Sequence, residues 1–189
     1  LSKMEYYLND LGNPHHGLPV IHVTGTNGKG STVAFLNSIF RYHNLNVGCF
    51  TSPYITKFNE RIRYNDNYIS DEDLLKIGNH ILSFYPKWQK EEVEVPSFFE
   101  LVTLICFIYF KNIENLDVVL LEVGIGGRLD STNVVDPLIS VITGVSYDHM
   151  NLLGNTLDEI LNEKLDLFKA TICCNDCVAV QCVSKCPRL

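Results

Sequence analysis

Between Val20 and Ala34 the chain runs Val-Ile-His-Val-Thr-Gly-Thr-Asn-Gly-Lys-Gly-Ser-Thr-Val-Ala. A β-branched run ends in the glycine turn Gly25-Thr26-Asn27-Gly28, and Lys29, Gly30, Ser31 and Thr32 then open an amphipathic helix. Strand, glycine loop, lysine and hydroxyls at a helix start form a phosphate cradle. Glycines let backbone N–H groups approach an anion, Lys29 adds a point charge, and Ser31 or Thr32 offers a hydroxyl to a phosphate or its magnesium. The candidate nucleotide-binding residues are therefore Asn27, Gly28, Lys29, Gly30, Ser31 and Thr32. The pattern departs from the common P-loop: Val23, not glycine, stands five residues before Gly28, and Gly30 separates Lys29 from Ser31. The alternative is a strand-to-helix turn that holds no ligand.

Further polar residues stand at the ends of apolar runs. Glu122 interrupts Val118-Val-Leu-Leu-Glu-Val123. A carboxylate inside a buried strand is costly unless paired or metal-bound, and beside a triphosphate the natural partner is magnesium, which takes hard oxygen ligands. Ser52 can add a hydroxyl and His149 an imidazole. Each also has a plain reading, Ser52 as the turn residue before Pro53 and His149 as a surface-loop histidine. The glycines of Gly124-Ile-Gly-Gly127 fit a tight turn as well as a ligand loop. Lys164 falls in the middle of the apolar face formed by Leu157, Ile160, Leu161, Leu165 and Phe168. There it either snorkels to solvent, the reading the sequence alone favours, or is buried with a lowered pKa. A neutral amine reacts with carbon dioxide to give an anionic carbamate, which can help to hold a second magnesium.

The elements that must position these groups are strand-like runs at Val20–Val23, Val47–Thr51, Val118–Val123 and Leu138–Thr143. Helical segments lie between them. The first follows the glycine loop with Val33, Leu36, Ile39 and Phe40 on one face. Others start at Ser70, at Ser97 with Glu100 as a capping box, and at Thr156 with Glu159 three residues on. Strands alternating with helices predict an α/β fold, a mostly parallel sheet with helices on both faces. Such sheets bind ligands at the carboxyl ends of their strands. The glycine loop, Thr51-Ser52-Pro53, the Glu122–Asn133 segment and Gly144–His149 therefore converge on one rim.

A chain of 189 residues with 46% apolar content suits one domain with a core of its own. A net charge of -7 without a basic stripe excludes nucleic acid as a natural partner. The apolar run Phe98–Phe110 carries Glu100 and Thr103 and is shorter than the ~20 residues a membrane helix needs, so a buried helix is expected and no membrane partner. No signal peptide is visible, and a start at Leu1 leaves targeting unsettled. Cys49 and Cys106 fit a core. Cys173, Cys174, Cys177, Cys182 and Cys186 crowd the end, with a Cys174-x2-Cys177-x4-Cys182-x3-Cys186 spacing that resembles a zinc knuckle but lacks its histidine. The bland alternative is a truncated or wrongly translated end. The expected division is a domain over 1–170 and a disordered cysteine-rich tail over 171–189.

From about Met4 to Lys164 the chain resembles the folylpolyglutamate synthase / dihydrofolate synthase family of the Mur ligase superfamily. The resemblance rests on His22-Val-Thr-Gly-Thr-Asn-Gly-Lys-Gly-Ser31, Phe50-Thr-Ser-Pro-Tyr54, Phe58-Asn-Glu-Arg-Ile62, Glu122-Val-Gly-Ile-Gly-Gly-Arg-Leu-Asp-Ser-Thr-Asn133, Asp148-His149 and Glu163-Lys164. It implies a P-loop-type central domain and a cytoplasmic, monomeric ATP-dependent ligase. ATP phosphorylates the carboxylate of a folate or dihydropteroate, and the amino group of L-glutamate attacks the acyl phosphate. By the same resemblance Gly28, Lys29, Gly30 and Ser31 hold phosphates, and Ser52, Glu122 and His149 hold Mg2+. Lys164 matches a carbamylated lysine, and Lys29, Glu122, His149 and Lys164 form the catalytic set. Phe98, Phe99, Glu100, Leu101, Leu129, Asp130 and Ser131 fall where family members contact the pterin-bearing substrate. Leu165-Asp166 replaces the Ala-Gly usual after the lysine, the likeness ends near Thr171, and the family's C-terminal domain is absent from these residues. The chain by itself is therefore expected to be inactive. The competing expectations are a non-catalytic nucleotide-binding remnant and a cell-wall Mur-type ligase.

Overall fold

The computed structural model of the protein describes residues 1–168 and the strand of residues 180–182. Four parallel strands form its centre: β1 (Val20–Thr24), β2 (Val47–Phe50), β5 (Val118–Glu122) and β6 (Ile139–Ile142). Each lies within a residue or two of the run that predicts it. A hairpin of β3 (Ile62–Tyr64) and β4 (Asn67–Tyr68) extends one edge antiparallel to β2, turning at Asn65-Asp66 with Asn65 at φ 54°. β7 (Val180–Cys182) extends the other, antiparallel to β6. The sheet order is β4-β3-β2-β5-β1-β6-β7. The sheet thus reaches past residue 170, where the sequence suggests a boundary. The rest of the cysteine-rich tail, with its expected disorder and its zinc-knuckle spacing, lies outside the described residues.

Side chains alternate across the sheet, as the period of two requires. Val20, Phe50, Val119 and Leu121 join the larger core, with α1 (Ser2–Asp10), α3 (Asp71–Leu82), α4 (Tyr85–Lys90) and α5 (Phe98–Lys111). Ile21, Val23, Val47, Cys49, Val118 and Leu120 face the other way, against α2 (Lys29–Tyr42). α5 is the expected buried helix, with Val102 to Phe107 and Phe110 all inside. Its start is the expected capping box, in which Ser97 accepts the Glu100 N–H and Glu100 accepts the Ser97 N–H. α7 (Leu157–Leu165) opens on the same device at Thr156 and Glu159, and Ser70 caps α3 by accepting the Asp73 N–H. A short helix α6 (Met150–Leu153) precedes α7. Among the described residues no helix is long and apolar enough to cross a membrane.

Three expectations are corrected. On α2, Val33, Leu36 and Phe40 pack on the sheet but Ile39 is 52% exposed, because one helix lying on a flat sheet buries a narrower stripe. Leu157, at the first turn of α7, is exposed too. Lys164 does not snorkel: it is 2% exposed, because the loop after β5 packs on its helix turn at Gly127, where an added Cβ would lie 3.1 Å from the Lys164 Cα.

β2 passes close to α5 at Gly48, where an added Cβ would lie 2.8 Å from the ring of buried Phe110. Gly48→Ala is expected to destabilise the fold by about 1–3 kcal/mol through overpacking. Gly78→Ala on α3, with open space around it, is expected to stabilise it by up to about 1 kcal/mol. Urea denaturation of both variants checks the pair.

Candidate nucleotide and acceptor site

The loops that follow β1, β2, β5 and β6 meet at the carboxyl end of the sheet. Thr24–Thr26 and Lys29, Val123–Gly126, Asp148 with His149, and Lys164 line a small pocket. Beside it opens a cleft of about 680 Å³, to which the β2 loop adds Ser52 and Pro53.

The β1–α2 turn is held by its neighbours. Gly25 has φ +147°, and a Cβ there would lie 1.9 Å from Thr143 Oγ1, so this position must be glycine. The Thr26 N–H donates to the Gly144 carbonyl at 2.9 Å, and the Thr143 hydroxyl donates to the Asn27 carbonyl at 2.6 Å. Gly28 begins α2 at φ 81°. Asn27, Gly28, Gly30 and Ser31 are exposed and Thr32 is half-buried, so this helix start is open to a ligand. Lys29 folds back, donating from Nζ to the carbonyls of Gly25 at 2.8 Å and Thr26 at 3.3 Å.

Glu122 ends β5 on the α2 side of the sheet, in register with Val23 and 3% exposed. Its Oε2 accepts the Ser52 N–H at 3.0 Å. Burial pushes its carboxyl pKa up, partly offset by that N–H and by the positive charge of Lys29. His149 caps α6 in a left-handed conformation, with its side chain half exposed and its Nε2 3.7 Å from Asp148 Oδ2. Among the described residues no three His, Cys, Asp or Glu side chains gather into a metal site of their own. A buried carboxylate beside a serine is nevertheless a hard-oxygen donor set, which fits magnesium, an ion that keeps waters and phosphate oxygens as ligands.

Lys164 lies at the floor of the small pocket. Burial lowers its pKa, the charge of Lys29 lowers it further, and Asp148 opposes both. Of the expected substrate contacts, Phe99, Leu129, Asp130 and Ser131 line the cleft. Asp130 is only 7% exposed and works mainly on the backbone. Its Oδ2 accepts the N–H groups of Gly124 and Ile125 at 3.0 and 3.1 Å, and its Oδ1 accepts the Thr132 N–H and hydroxyl at 2.9 and 2.6 Å. The same hydroxyl lies 2.8 Å from Nε2 of buried His22 on β1. Glu100 is engaged in its capping box and Leu101 packs on the larger core, so neither joins the cleft lining. Phe98 stands exposed at the rim over Arg61. Arg61 itself, 8% exposed and lining the cleft, is the site residue that sequence reasoning missed. Its only signal is its place in Phe58-Asn-Glu-Arg-Ile62.

Residues 23–180 match the Mur ligase middle domain family. The chain belongs to that family. It is 45% identical over 172 residues to the dihydrofolate synthase/folylpolyglutamate synthase of Bacillus subtilis (strain 168), covering 91% of this chain and 40% of that protein. Among solved structures it resembles the folylpolyglutamate synthase of Thermotoga maritima, with TM-score 0.80 and 42% identity over 89% of this chain and 38% of that one. It also resembles an FPGS–AMPPCP–folate complex, with TM-score 0.84 and 38% identity over 88% of this chain and 41% of that one. The chain thus spans about two fifths of the length of these relatives.

Asp130 holds the β5 loop through two N–H acceptor bonds. Asp130→Asn must turn an NH2 group toward donors on one side or the other. We expect a loss of about 1–3 kcal/mol for the broken buried bonds. Amide exchange at Gly124 and Ile125 should speed up by at least roughly tenfold, measured by NMR.

Proposed function

We propose that this chain supplies the nucleotide loop and acceptor cleft of an ATP-dependent ligase that joins L-glutamate to a folate or dihydropteroate carboxylate through an acyl phosphate. The observation that carries this reading is the convergence of Lys29, Ser52 and His149 on one cleft at the carboxyl end of a parallel sheet, with the buried Glu122 carboxylate accepting the Ser52 N–H beside it. The similarity to a complex of FPGS with AMPPCP and folate supports both halves of it.

On this reading Lys29 exchanges the Gly25 and Thr26 carbonyls for phosphate oxygens. The exposed N–H groups and hydroxyls from Asn27 to Thr32 hold the rest of the chain of phosphates. Glu122, Ser52 and His149 would hold magnesium, which would neutralise the charge of the phosphates and of the acceptor carboxylate. Lys164, buried in the pocket it shares with Lys29 and His149 and with its amine pushed toward the neutral form, could add carbon dioxide: a C–N bond would form, a proton would leave, and the carbamate anion would offer oxygens to a further magnesium. The acceptor ring system lies along Phe99, Leu129 and Ser131, with Phe98 at the rim. Phosphoryl transfer needs little beyond such positioning and charge neutralisation. Cys49 and Cys106, both buried free thiols, fit a reducing cytoplasm. The residues of this reading lie between Asn27 and Lys164, within the domain expected over 1–170, and we assign glutamate capture to the further length found in the relatives.

Calorimetric titration with magnesium and AMPPCP tests the nucleotide half. The wild-type chain should bind, and Lys29→Ala should bind about 10–100-fold more weakly, the worth of a charge-assisted contact. Equal affinity for the two proteins would remove the phosphate-cradle assignment.

A further inference from the structure

Arg61 sits where a buried cation needs an anion and the described residues provide none. It is 8% exposed, and its Nε has no hydrogen-bond partner. Among the described residues it joins no ion pair. The carboxylate next to it in sequence is taken: Glu60 accepts the N–H groups of Ile55, Thr56 and Lys57. Instead, the guanidinium carbon lies 5.2 Å from the ring centre of Tyr54, 5.7 Å from Phe98 and 6.0 Å from Phe58. Three ring faces hold a guanidinium charged and oriented without consuming its donors. The backbone carbonyl of Arg61 accepts the Thr51 N–H at 2.9 Å, which ties its strand start to the loop carrying Ser52.

We propose that Arg61 is the residue that recognises the carboxylate of the acceptor, reading an aromatic acid as an acid. This rests on the acceptor cleft of the proposed function and deepens it by naming the group that is read and the side chain that reads it. A guanidinium offers a planar fork that matches a carboxylate. Its surroundings argue for an aryl carboxylate rather than a second phosphate: the rings of Tyr54, Phe58 and Phe98 and the apolar cleft residues Phe99 and Leu129 suit a flat aromatic body. The nucleotide's charge is already answered by Lys29 and the start of α2. Leaving a buried guanidinium without an anion costs stability, whereas a ligand that brings one recovers the interaction on binding.

The test compares pteroic acid with its neutral carboxamide by titration of this chain in the presence of magnesium and AMPPCP. The wild-type chain should favour the acid by about 10–100-fold, as expected for a hydrogen-bonded charge pair. Arg61→Gln should reduce that preference to within about twofold while its affinity for magnesium–AMPPCP stays unchanged. Arg61→Lys keeps charge and bulk but loses the fork, and should keep a preference below about tenfold. This second variant decides the question if Arg61→Gln also loses nucleotide binding through misfolding. A full preference retained in either variant overturns the proposal and leaves the acceptor cleft standing. So does a wild-type chain that binds acid and amide alike. A wild-type chain that binds nucleotide but neither compound overturns the acceptor reading itself. A selective loss of AMPPCP affinity in Arg61→Lys would assign the residue to phosphate and overturn the proposal too.

Discussion

The buried carboxylate of Glu122 is the constraint around which the rim is arranged. Every other side chain that β5 sends toward α2 is apolar, and the strand lies between two others, so its last position is 3% exposed. A charge there is costly unless it is answered. The answers come from different loops. The Ser52 N–H donates from the β2 loop, Lys29 contributes charge from the β1 loop, and the start of α2 approaches so closely that a Cβ on Gly30 would lie 3.7 Å from the carboxylate. Burial still pushes the carboxyl pKa upward on balance. The protein alone undercompensates this charge, which is the condition a cation-bearing ligand relieves.

The same logic organises the neighbouring loops. Asp130 acts as a hub, its carboxylate accepting from Gly124, Ile125 and Thr132. It fixes the β5 loop from below, while Thr143 and Gly144 fix the β1 loop from the side. Lys29 differs in that its partners are carbonyls of its own loop. Under the proposed function these neutral acceptors would be exchanged for phosphate oxygens, while the loop backbone keeps its bonds to Thr143 and Gly144. Lys164 lies among these loops, and burial, with the charge of Lys29 adding to it, pushes its amine toward the neutral form.

Much of this was legible in the sequence, and the reasons are specific. The last two central strands, β5 and β6, are nearly continuous apolar runs because both faces of the sheet are covered. The starts of α3, α5 and α7 are written locally as Ser70, Ser97 with Glu100, and Thr156 with Glu159. What escaped depends on contacts between distant segments. α1 buries only Met4, Tyr7 and Leu8 out of a polar stretch, and α4 buries Trp88 in a six-residue helix. The β3–β4 hairpin is marked only by Asn65-Asp66. The burial of Lys164 and the aromatic setting of Arg61 arise because other elements cover them. Arg61 takes Phe98 from α5, far along the chain, and no local pattern announces that meeting.

The most direct measurement of the central claim is the magnesium dependence of AMPPCP affinity in the wild-type chain and in Glu122→Gln, followed by calorimetry. If the Glu122 carboxylate is held for a cation, magnesium should raise wild-type affinity by roughly tenfold or more, the scale of a charge-assisted contact. Glu122→Gln should lose that increment while its thermal unfolding midpoint stays level or rises, because an uncompensated buried charge has been removed. A variant that keeps the full magnesium increment would contradict the account and make Glu122 a structural residue.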